Sequence, residues 1–154
     1  MDWITGIQKA IDYTEEHLEE EIDFEKVAEE ACSSSFKFQR IFTALCGISL
    51  GEYIRNRRLS RAAEILATSD AKVIDVAFRF CYETPESFTR AFTRFHGITP
   101  REAKRGDCLK TQTSSVKIDT KLVKMALNMD LKDKKMTKKV VFRQSEGRAS
   151  KIFF

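Results

Sequence analysis

A stretch of 19 residues occurs twice in this chain, at 37–55 and again at 87–105, with eight of the 19 positions identical. Unrelated segments of ordinary composition would match at about one position. The identical residues are mainly aromatic, arginine and glycine: Phe38/Phe88, Arg40/Arg90, Phe42/Phe92, Thr43/Thr93, Gly47/Gly97, Ile48/Ile98, Glu52/Glu102 and Arg55/Arg105. Upstream, Val27-Ala28 and Cys32 pair with Val76-Ala77 and Cys81 at a shift of 49. Two copies are too few for a helical solenoid, so two helix-turn-helix units are the better interpretation.

Capping residues and apolar spacing predict helices throughout residues 1–105. A first helix over about 3–19 would turn inward Trp3, Ile7, Ala10, Ile11, Thr14 and Leu18. Asp23 is an N-cap candidate for a helix over 24–31, and Ser33, Ser34 and Ser35 supply the N-cap of a helix over 36–46. The inward residues of the two repeat helices are Phe38, Ile41, Phe42 and Leu45, and Phe88, Ala91, Phe92 and Phe95.

The repeat helices share their punctuation. Gly47 and Gly97 suit the left-handed position that ends a helix, and each leads into a capping box, Ser49 to Glu52 and Thr99 to Glu102. Thr84-Pro85 opens the second repeat helix as N-cap and first helical residue. One helix over 50–68 connects the copies, and at about 1.5 Å per residue it spans about 28 Å, close to a turn of B-DNA of about 34 Å. The predicted fold is all-α, with two helix-turn-helix subdomains, a long connecting helix and about seven helices.

Charge divides the chain into two parts. Residues 1–105 hold 15 Lys/Arg and 18 Asp/Glu, a net charge of −3, whereas 106–154 hold 12 and five, a net charge of +7. We predict a DNA-binding domain over 1–105, followed by a basic tail over 106–154. The tail is either partly disordered or the incomplete start of a C-terminal effector domain, with a weak amphipathic helix over 117–131. No cofactor is expected, and with so short a tail no small-molecule effector.

Cysteine and histidine usage argues against metal or catalytic chemistry. The four cysteines lie far apart and the chain has two histidines, so no zinc-finger spacing can be built. The start lacks a signal-peptide pattern and no stretch is apolar enough to span a membrane, so we expect a cytoplasmic, reduced protein without membrane contact. His17 and His96 stand at predicted helix ends, where a surface or capping role is expected. Cys32 and Cys81 invite a redox hypothesis, but a tight, half-buried corner that accepts a small residue is favoured.

With the core faces removed, both repeat helices present side chains suited to a major groove. The first exposes Phe36, Lys37, Gln39, Arg40 and Thr43, and the second exposes Glu86, Ser87, Thr89, Arg90, Thr93 and Arg94. Arginine can bind guanine, glutamine can read adenine, glutamate can accept from cytosine, and an aromatic edge can contact a thymine methyl. The alternative is a merely solvated helix face. An arginine at the same repeat position in both helices favours DNA reading.

A second set is expected to contact phosphates or support the helices. It comprises Ser35, Lys37, Thr43, Arg55, Arg58, Thr84, Thr89, Thr93 and Arg94. Arg55, Arg57, Arg58 and Arg61 cluster on the connecting helix, and Arg101, Lys104 and Arg105 on the last one. We expect some of these cations to touch phosphates and others to pair with the many glutamates.

These motifs resemble the DNA-binding domain of the AraC/XylS family of bacterial transcription regulators, over about residues 7–105. The resemblance rests on the segments 38–42, 47–55, 58–59, 76–77, 87–92 and 95–100, and it is nearest to the small MarA/SoxS/Rob type. It implies a seven-helix, two-lobed protein that binds about 20 base pairs as a monomer and activates transcription by contacting RNA polymerase. It implies base contacts from Phe36, Gln39 and Arg40 and from Glu86, Ser87 and Arg90.

Two departures and two alternatives accompany this resemblance. The family usually has glycine where Cys32 and Cys81 stand, which predicts about 1 kcal/mol of strain at a positive φ. Pro85-Glu86 at the start of the second helix would weaken or redirect base reading. One alternative is a truncated regulator that occupies DNA or binds RNA polymerase without activating. The other is an enzyme with a self-methylating DNA-repair domain, whose Pro-Cys-His-Arg motif this sequence lacks.

Overall fold

Seven α-helices and no strands make up residues 3–107, the part of the chain that the computed structural model describes. The helices are α1 (Trp3–Glu16), α2 (Phe24–Glu30), α3 (Ser35–Cys46), α4 (Leu50–Thr68), α5 (Val73–Arg79), α6 (Pro85–His96) and α7 (Pro100–Lys104). The all-α prediction is therefore confirmed, and α4 has the bounds predicted for the connecting helix. The basic tail, including the helix predicted over 117–131, lies outside the described residues.

Within these residues the chain forms two units. The first contains α1, α2, α3 and the start of α4 up to Tyr53, and its core is lined by the inner faces of all four helices. The ring of Phe42 is fully buried, with its centroid 6.0 Å from that of Phe38 and 5.5 Å from that of Tyr53. Gly6 permits a close approach of α1 to α2, since a Cβ there would lie 3.2 Å from the backbone of Ala31.

The second unit contains His17–Glu21, the rest of α4 and helices α5, α6 and α7. Its core is formed by apolar residues of all four helices, by Leu18 of the His17–Glu21 segment and by Phe80, which directly follows α5. The helical residues are Leu59, Ala62, Ala63, Leu66, Val76, Ala77, Phe88, Phe92 and Ala103. Across residues 3–107, no helix combines the length and apolarity that a membrane crossing needs.

The structure corrects the prediction for the first helix. It ends at Glu16 rather than at about residue 19, because the chain turns there and the Glu20 amide donates to the His17 carbonyl at 3.0 Å. Leu18 is buried as predicted, but from the turn. Trp3 is 41% exposed, and Ile4 takes the inward position instead.

Helix α6 contains a second correction. His96 is fully buried instead of lying at the surface, and its Nε2 is 2.9 Å from the carbonyl oxygen of Leu59. It follows Phe88 and Phe92 at intervals of four, so it belongs to their inward stripe. The equivalent residue of the first copy, Cys46, is also buried, and burial raises the pKa of its thiol to about 12. Three other residues predicted to face inward are only half-buried: Ile41, Ala91 and Phe95.

The two turns before α3 and α6 have the same backbone conformation. Cys32 has φ 50° and Cys81 has φ 65°, the left-handed region in which a side chain is strained. Both cysteines therefore have the positive φ for which the sequence predicted backbone strain. The prediction that both cysteines occupy a half-buried corner was wrong, since both are exposed.

Replacing Cys32 with glycine is expected to raise the free energy of unfolding. Relief of the left-handed strain is worth about 1–2 kcal/mol, and the larger entropy of glycine in the unfolded chain offsets about 0.4–1 kcal/mol of it. Urea unfolding should therefore show Cys32→Gly to be more stable than Cys32→Ala, which keeps the Cβ. If the alanine variant were the more stable, the turn would carry no strain.

Candidate nucleic-acid interface

Helix α3 is fixed at both ends by the residues that the sequence predicted. Ser34 is the N-cap, and its hydroxyl accepts from the Lys37 amide at 3.4 Å. Gly47 ends the helix with φ 77°, and its amide donates to the Thr43 carbonyl. Phe38 and Phe42 anchor the inner face. These constraints fix which residues form the outer face of α3.

The outer face of α3 carries an exposed aromatic ring and cations. Phe36 is 72% exposed, and the Arg40 guanidinium carbon lies 5.6 Å from the centre of its ring, a cation–π arrangement. A shallow open depression beside this pair, here called the α3 recess, is lined by Phe36, Lys37, Arg40, Ile41 and Ala44. The face therefore offers an apolar surface flanked by two positive charges.

Two further predicted residues of α3 hydrogen bond within the helix. The Gln39 side-chain amide donates to the Ser35 hydroxyl at 3.0 Å, which orients the amide along the start of the helix. The Thr43 hydroxyl donates to the Gln39 carbonyl at 2.8 Å. Gln39 and Ser35 thus form a pair in which the first helical residue positions the glutamine.

Helix α6 repeats the framework of α3 with a different outer face. Thr84 caps it by accepting from the Ser87 amide at 3.1 Å, Pro85 follows as the first helical residue, and Gly97 ends it with φ 76°. Its exposed side chains are Glu86, Arg90 and Arg94. No exposed aromatic residue lies on α6.

Two hydroxyl groups of α6 donate to backbone carbonyls at the start of the helix or within it. Ser87 donates to the Thr84 carbonyl at 2.8 Å, and Thr93 donates to the Thr89 carbonyl at 2.7 Å. All three side chains at 87, 89 and 93 are half-buried. An oxygen that donates its proton in this way can still accept from a ligand, but it is positioned by the helix.

The arginines of α4 divide into different environments. Arg55 and Arg61 are exposed, and Arg57 is buried. Arg58 donates from Nε to the Leu18 carbonyl at 2.8 Å and from Nη2 to the Glu20 carbonyl at 2.6 Å. Arg58 therefore holds the turn after α1, a supporting role that the sequence pattern did not distinguish from a phosphate contact.

An ion pair holds the same turn. Arg79 Nη2 lies 2.8 Å from Glu19 Oε1, and this hydrogen bond holds the pKa of the Glu19 carboxyl below its usual value. Cys81 Sγ lies 3.5 Å from the Glu19 carbonyl oxygen.

The start of α7 has the capping box that the sequence predicted. The Thr99 amide donates to the Glu102 carboxylate at 2.6 Å, and this hydrogen bond lowers the pKa of the Glu102 carboxyl.

The Glu19 pair predicts a specific acid sensitivity. A lowered folded-state pKa stabilises the fold above the ordinary glutamate value, and this contribution disappears as pH falls through the folded value. We expect Glu19→Gln to remove about 0.2–1 kcal/mol at pH 7, typical of an exposed pair, and less at pH 3, because the carboxyl loses its charge as the pH falls through its lowered pKa. Urea unfolding at both pH values tests this, with Glu16→Gln, an exposed glutamate at the end of α1, as control. An equal loss for Glu19→Gln at both pH values would contradict the ion-pair origin.

Comparison with known proteins agrees with this architecture. A family model described as "Helix-turn-helix domain" matches residues 27–106, more than half of the chain. The chain is 39% identical over 95 residues to the uncharacterized HTH-type transcriptional regulator YbfP of Bacillus subtilis, covering 62% of this chain and 32% of that protein. It is 32% identical over 94 residues to the HTH-type transcriptional activator AarP of Providencia stuartii, covering 61% of this chain and 70% of that protein.

Solved structures share the fold. The DNA-binding domain of AdpA, a global transcriptional factor solved in complex with a target DNA, matches with a TM-score of 0.59 and 29% identity, over 65% of this chain and 90% of that one. An AraC-type regulator from Chromobacterium violaceum matches in fold with a TM-score of 0.62 and 21% identity, over 65% of this chain and 89% of that one. The relatives named above are transcription regulators. The chain belongs to the AraC-type helix-turn-helix family of DNA-binding transcription regulators.

Proposed function

We propose that this protein is a sequence-specific transcription regulator in which α3 and α6 read two adjacent major-groove segments. The observation that carries the proposal is the shared framework of these helices. Each has a hydroxyl N-cap, a left-handed glycine end, two buried phenylalanines and an exposed arginine at the same repeat position, Arg40 or Arg90. A capped helix with an exposed arginine in its first half suits guanine reading in the major groove, where the start of a recognition helix contacts the base edges.

The base contacts of the first unit are assigned to three residues of α3. Arg40 binds the guanine O6 and N7 edge, Gln39 reads adenine from its Ser35-oriented amide, and Phe36 lies against the base edges. In the second unit, Arg90 binds guanine and Glu86 accepts from a cytosine amino group, with Ser87 beside them. Phe36, Arg40, Glu86 and Arg90 are exposed, whereas Gln39 and Ser87 are half-buried.

The phosphate contacts are assigned to cations and capped helix starts flanking these readers. Lys37, Arg55 and Arg94 supply charge, while Ser35, Thr43, Thr84, Thr89 and Thr93 supply hydroxyl groups. Arg58 acts by holding the turn rather than by direct contact, because its guanidinium already binds two carbonyl groups.

We further propose that the protein activates transcription in the bacterial cytoplasm by contacting RNA polymerase. The relative AarP is named a transcriptional activator, and the chain spans 70% of its length. A protein that occupies DNA without activating is the alternative. A reporter carrying the bound site upstream of a weak promoter separates the two: activation by the wild-type chain supports the proposal, and occupancy without activation supports the alternative.

Hydroxyl-radical footprinting tests the DNA-reading half of the proposal. On a duplex selected by the full chain, two protected segments about one helical turn apart are expected. A single protected segment would leave one of the two helices without a DNA-reading role. Uniform protection along duplexes of unrelated sequence would contradict sequence-specific binding.

Removing residues 106–154 is expected mainly to flatten the salt dependence of non-specific binding. The segment carries a net charge of +7, and each phosphate neutralised by a cation contributes about −0.9 to the slope of log K against log salt. Binding of both chains to an unrelated duplex from about 50 to 200 mM salt measures the slope. Loss of sequence preference in the shortened chain would contradict a domain boundary near residue 105.

A further inference from the structure

We infer that His96 is a buried, uncharged imidazole that makes the second unit lose stability as the pH falls below about 6.5, where an exposed imidazole takes up a proton. The inference concerns the fold of the chain and is independent of its binding to DNA. It gives the second unit an acid sensitivity that the first unit lacks at the equivalent repeat position.

The surroundings of His96 favour the uncharged ring. The side chain is fully buried, and the centre of its ring lies 4.3 Å from that of Phe92 and 4.8 Å from that of Phe95. Nε2 is 2.9 Å from the carbonyl oxygen of Leu59. Because a carbonyl oxygen can only accept, Nε2 carries the hydrogen, and the neutral ring satisfies this contact. Contact of an imidazolium with the phenyl rings would offset only part of the cost of removing its charge from water.

No buried carboxylate balances a charged imidazole within residues 3–107. The buried polar or charged side chains of this part of the chain are Thr14, Arg57, Ser60 and His96. Arg57, which lies on α4 in the second unit, is a cation, and a like charge disfavours protonation of an imidazole. Burial and charge therefore act in the same direction.

The charged groups on the helices packed around α6 do not reverse this result. Three carboxylates are exposed: Glu64 on α4, Asp75 on α5 and Glu86 on α6 itself. Glu102 of α7 accepts from the Thr99 amide. The Lys and Arg side chains of these helices add only positive charge. Tyr82, whose ring packs against Phe88, stays uncharged near neutral pH because burial raises its pKa.

Burial of a neutral imidazole couples stability to pH with a definite sign. In the unfolded chain, the imidazole of residue 96 is in water and binds a proton below about pH 6.5, whereas in the folded chain it stays uncharged. The unfolded state therefore binds more protons in this range, and the free energy of unfolding falls as the pH falls. Each pH unit below 6.5 raises the unfolding equilibrium constant by up to about tenfold.

The first repeat helix lacks this sensitivity at the equivalent position. Cys46 is also buried, but burial raises the pKa of its thiol to about 12, so it gains no charge near neutral pH. Carboxylates contribute little between pH 5 and 7.5, because hydrogen bonds hold the pKa values of the Glu19 and Glu102 carboxyls below the usual value. The chain has one other histidine, His17, which serves as a control.

Urea unfolding of the full chain at pH 7.5 and pH 5.0 tests the inference. The unfolding equilibrium constant of the wild-type chain should rise about 30-fold more than that of His96→Phe, which keeps an aromatic ring but cannot bind a proton. His17→Gln should retain the wild-type dependence. An equal rise in the wild-type chain and His96→Phe, or loss of the dependence in His17→Gln, would overturn the inference.

A nuclear magnetic resonance titration of the folded wild-type chain tests the same inference without a substitution. Two-bond correlations between ring hydrogens and nitrogens distinguish the neutral ring with its hydrogen on Nε2 from the imidazolium. We expect His96 to keep the neutral form from pH 7.5 to pH 5.5. A titration midpoint of His96 within this range, in a chain that is still folded, would overturn the inference.

Discussion

Replacing Phe42 with alanine is expected to lower the free energy of unfolding by about 3–5 kcal/mol, enough to unfold much of a marginally stable domain. Phe42 is fully buried between α3 and the start of α4, with its ring near those of Phe38 and Tyr53. The loss combines the transfer energy of the ring with the cavity left behind. Urea unfolding followed by far-ultraviolet circular dichroism measures it.

Phe36→Ala is the matched control for this prediction. Both residues are phenylalanines of α3, but Phe36 is 72% exposed and Phe42 is fully buried. We expect Phe36→Ala to change the free energy of unfolding by no more than about 0.5 kcal/mol. A loss of several kcal/mol for both variants would contradict the division of α3 into a core face and an outer face.

Arg40→Ala is expected to weaken binding to the preferred duplex by about 1–3 kcal/mol, or about 5- to 150-fold, and to relax the choice of one base pair. The guanidinium lies on the outer face of α3, stacked on Phe36. Its loss would remove the bidentate contact with guanine that we propose for it. Fluorescence anisotropy on the preferred duplex and on duplexes changed at single positions measures both effects.

Arg61→Ala separates loss of base reading from loss of charge. Arg61 is an exposed arginine on α4, 4.0 Å from Glu64, and its removal changes the net charge by the same amount. We expect it to weaken preferred and unrelated duplexes in parallel and only slightly. If Arg40→Ala behaved in the same way, Arg40 would be a phosphate contact and the assignment of α3 as a reader would be wrong.

Much of the fold could be predicted because its boundaries are determined by local chemistry. Ser34, Thr84 and Thr99 cap helices in the way their side chains predict, and Gly47 and Gly97 end helices in the left-handed conformation. These effects act over a few residues, so they are visible in the sequence. Because the two repeat helices share their caps and terminal glycines, each copy supported the helix boundaries predicted in the other.

The errors arose where long-range packing or hydrogen bonding decides. The end of α1 depends on Arg58, 40 positions from Leu18 along the chain, binding the carbonyl groups of the following turn. Trp3 has the spacing of a core residue but lies at the start of the helix, where Ile4 is buried in its place. His96 does end a helix, as predicted, but the surface or capping role expected of it was wrong, although its spacing of four from Phe92 placed it in the core.

The exposed positions of α3 and α6 were largely predictable from the sequence, but the arrangement of their side chains was not. The sequence identified the outer faces of α3 and α6. It did not reveal the stacking of Arg40 on Phe36 or the internal hydrogen bonds of Ser87 and Thr93, because these depend on side-chain conformations. Ala44 was overlooked, although its spacing of eight from Phe36 and four from Arg40 places it on the same stripe.

The central claim is that two equivalent helices each read their own half of an asymmetric DNA site. Binding selection from a random duplex library, with the full chain, Arg40→Ala and Arg90→Ala in parallel, tests it most directly. We expect two sequence blocks about one helical turn apart, with Arg40→Ala degrading one block and Arg90→Ala degrading the other. Selection of no motif, or of one block indifferent to Arg90→Ala, would contradict the claim.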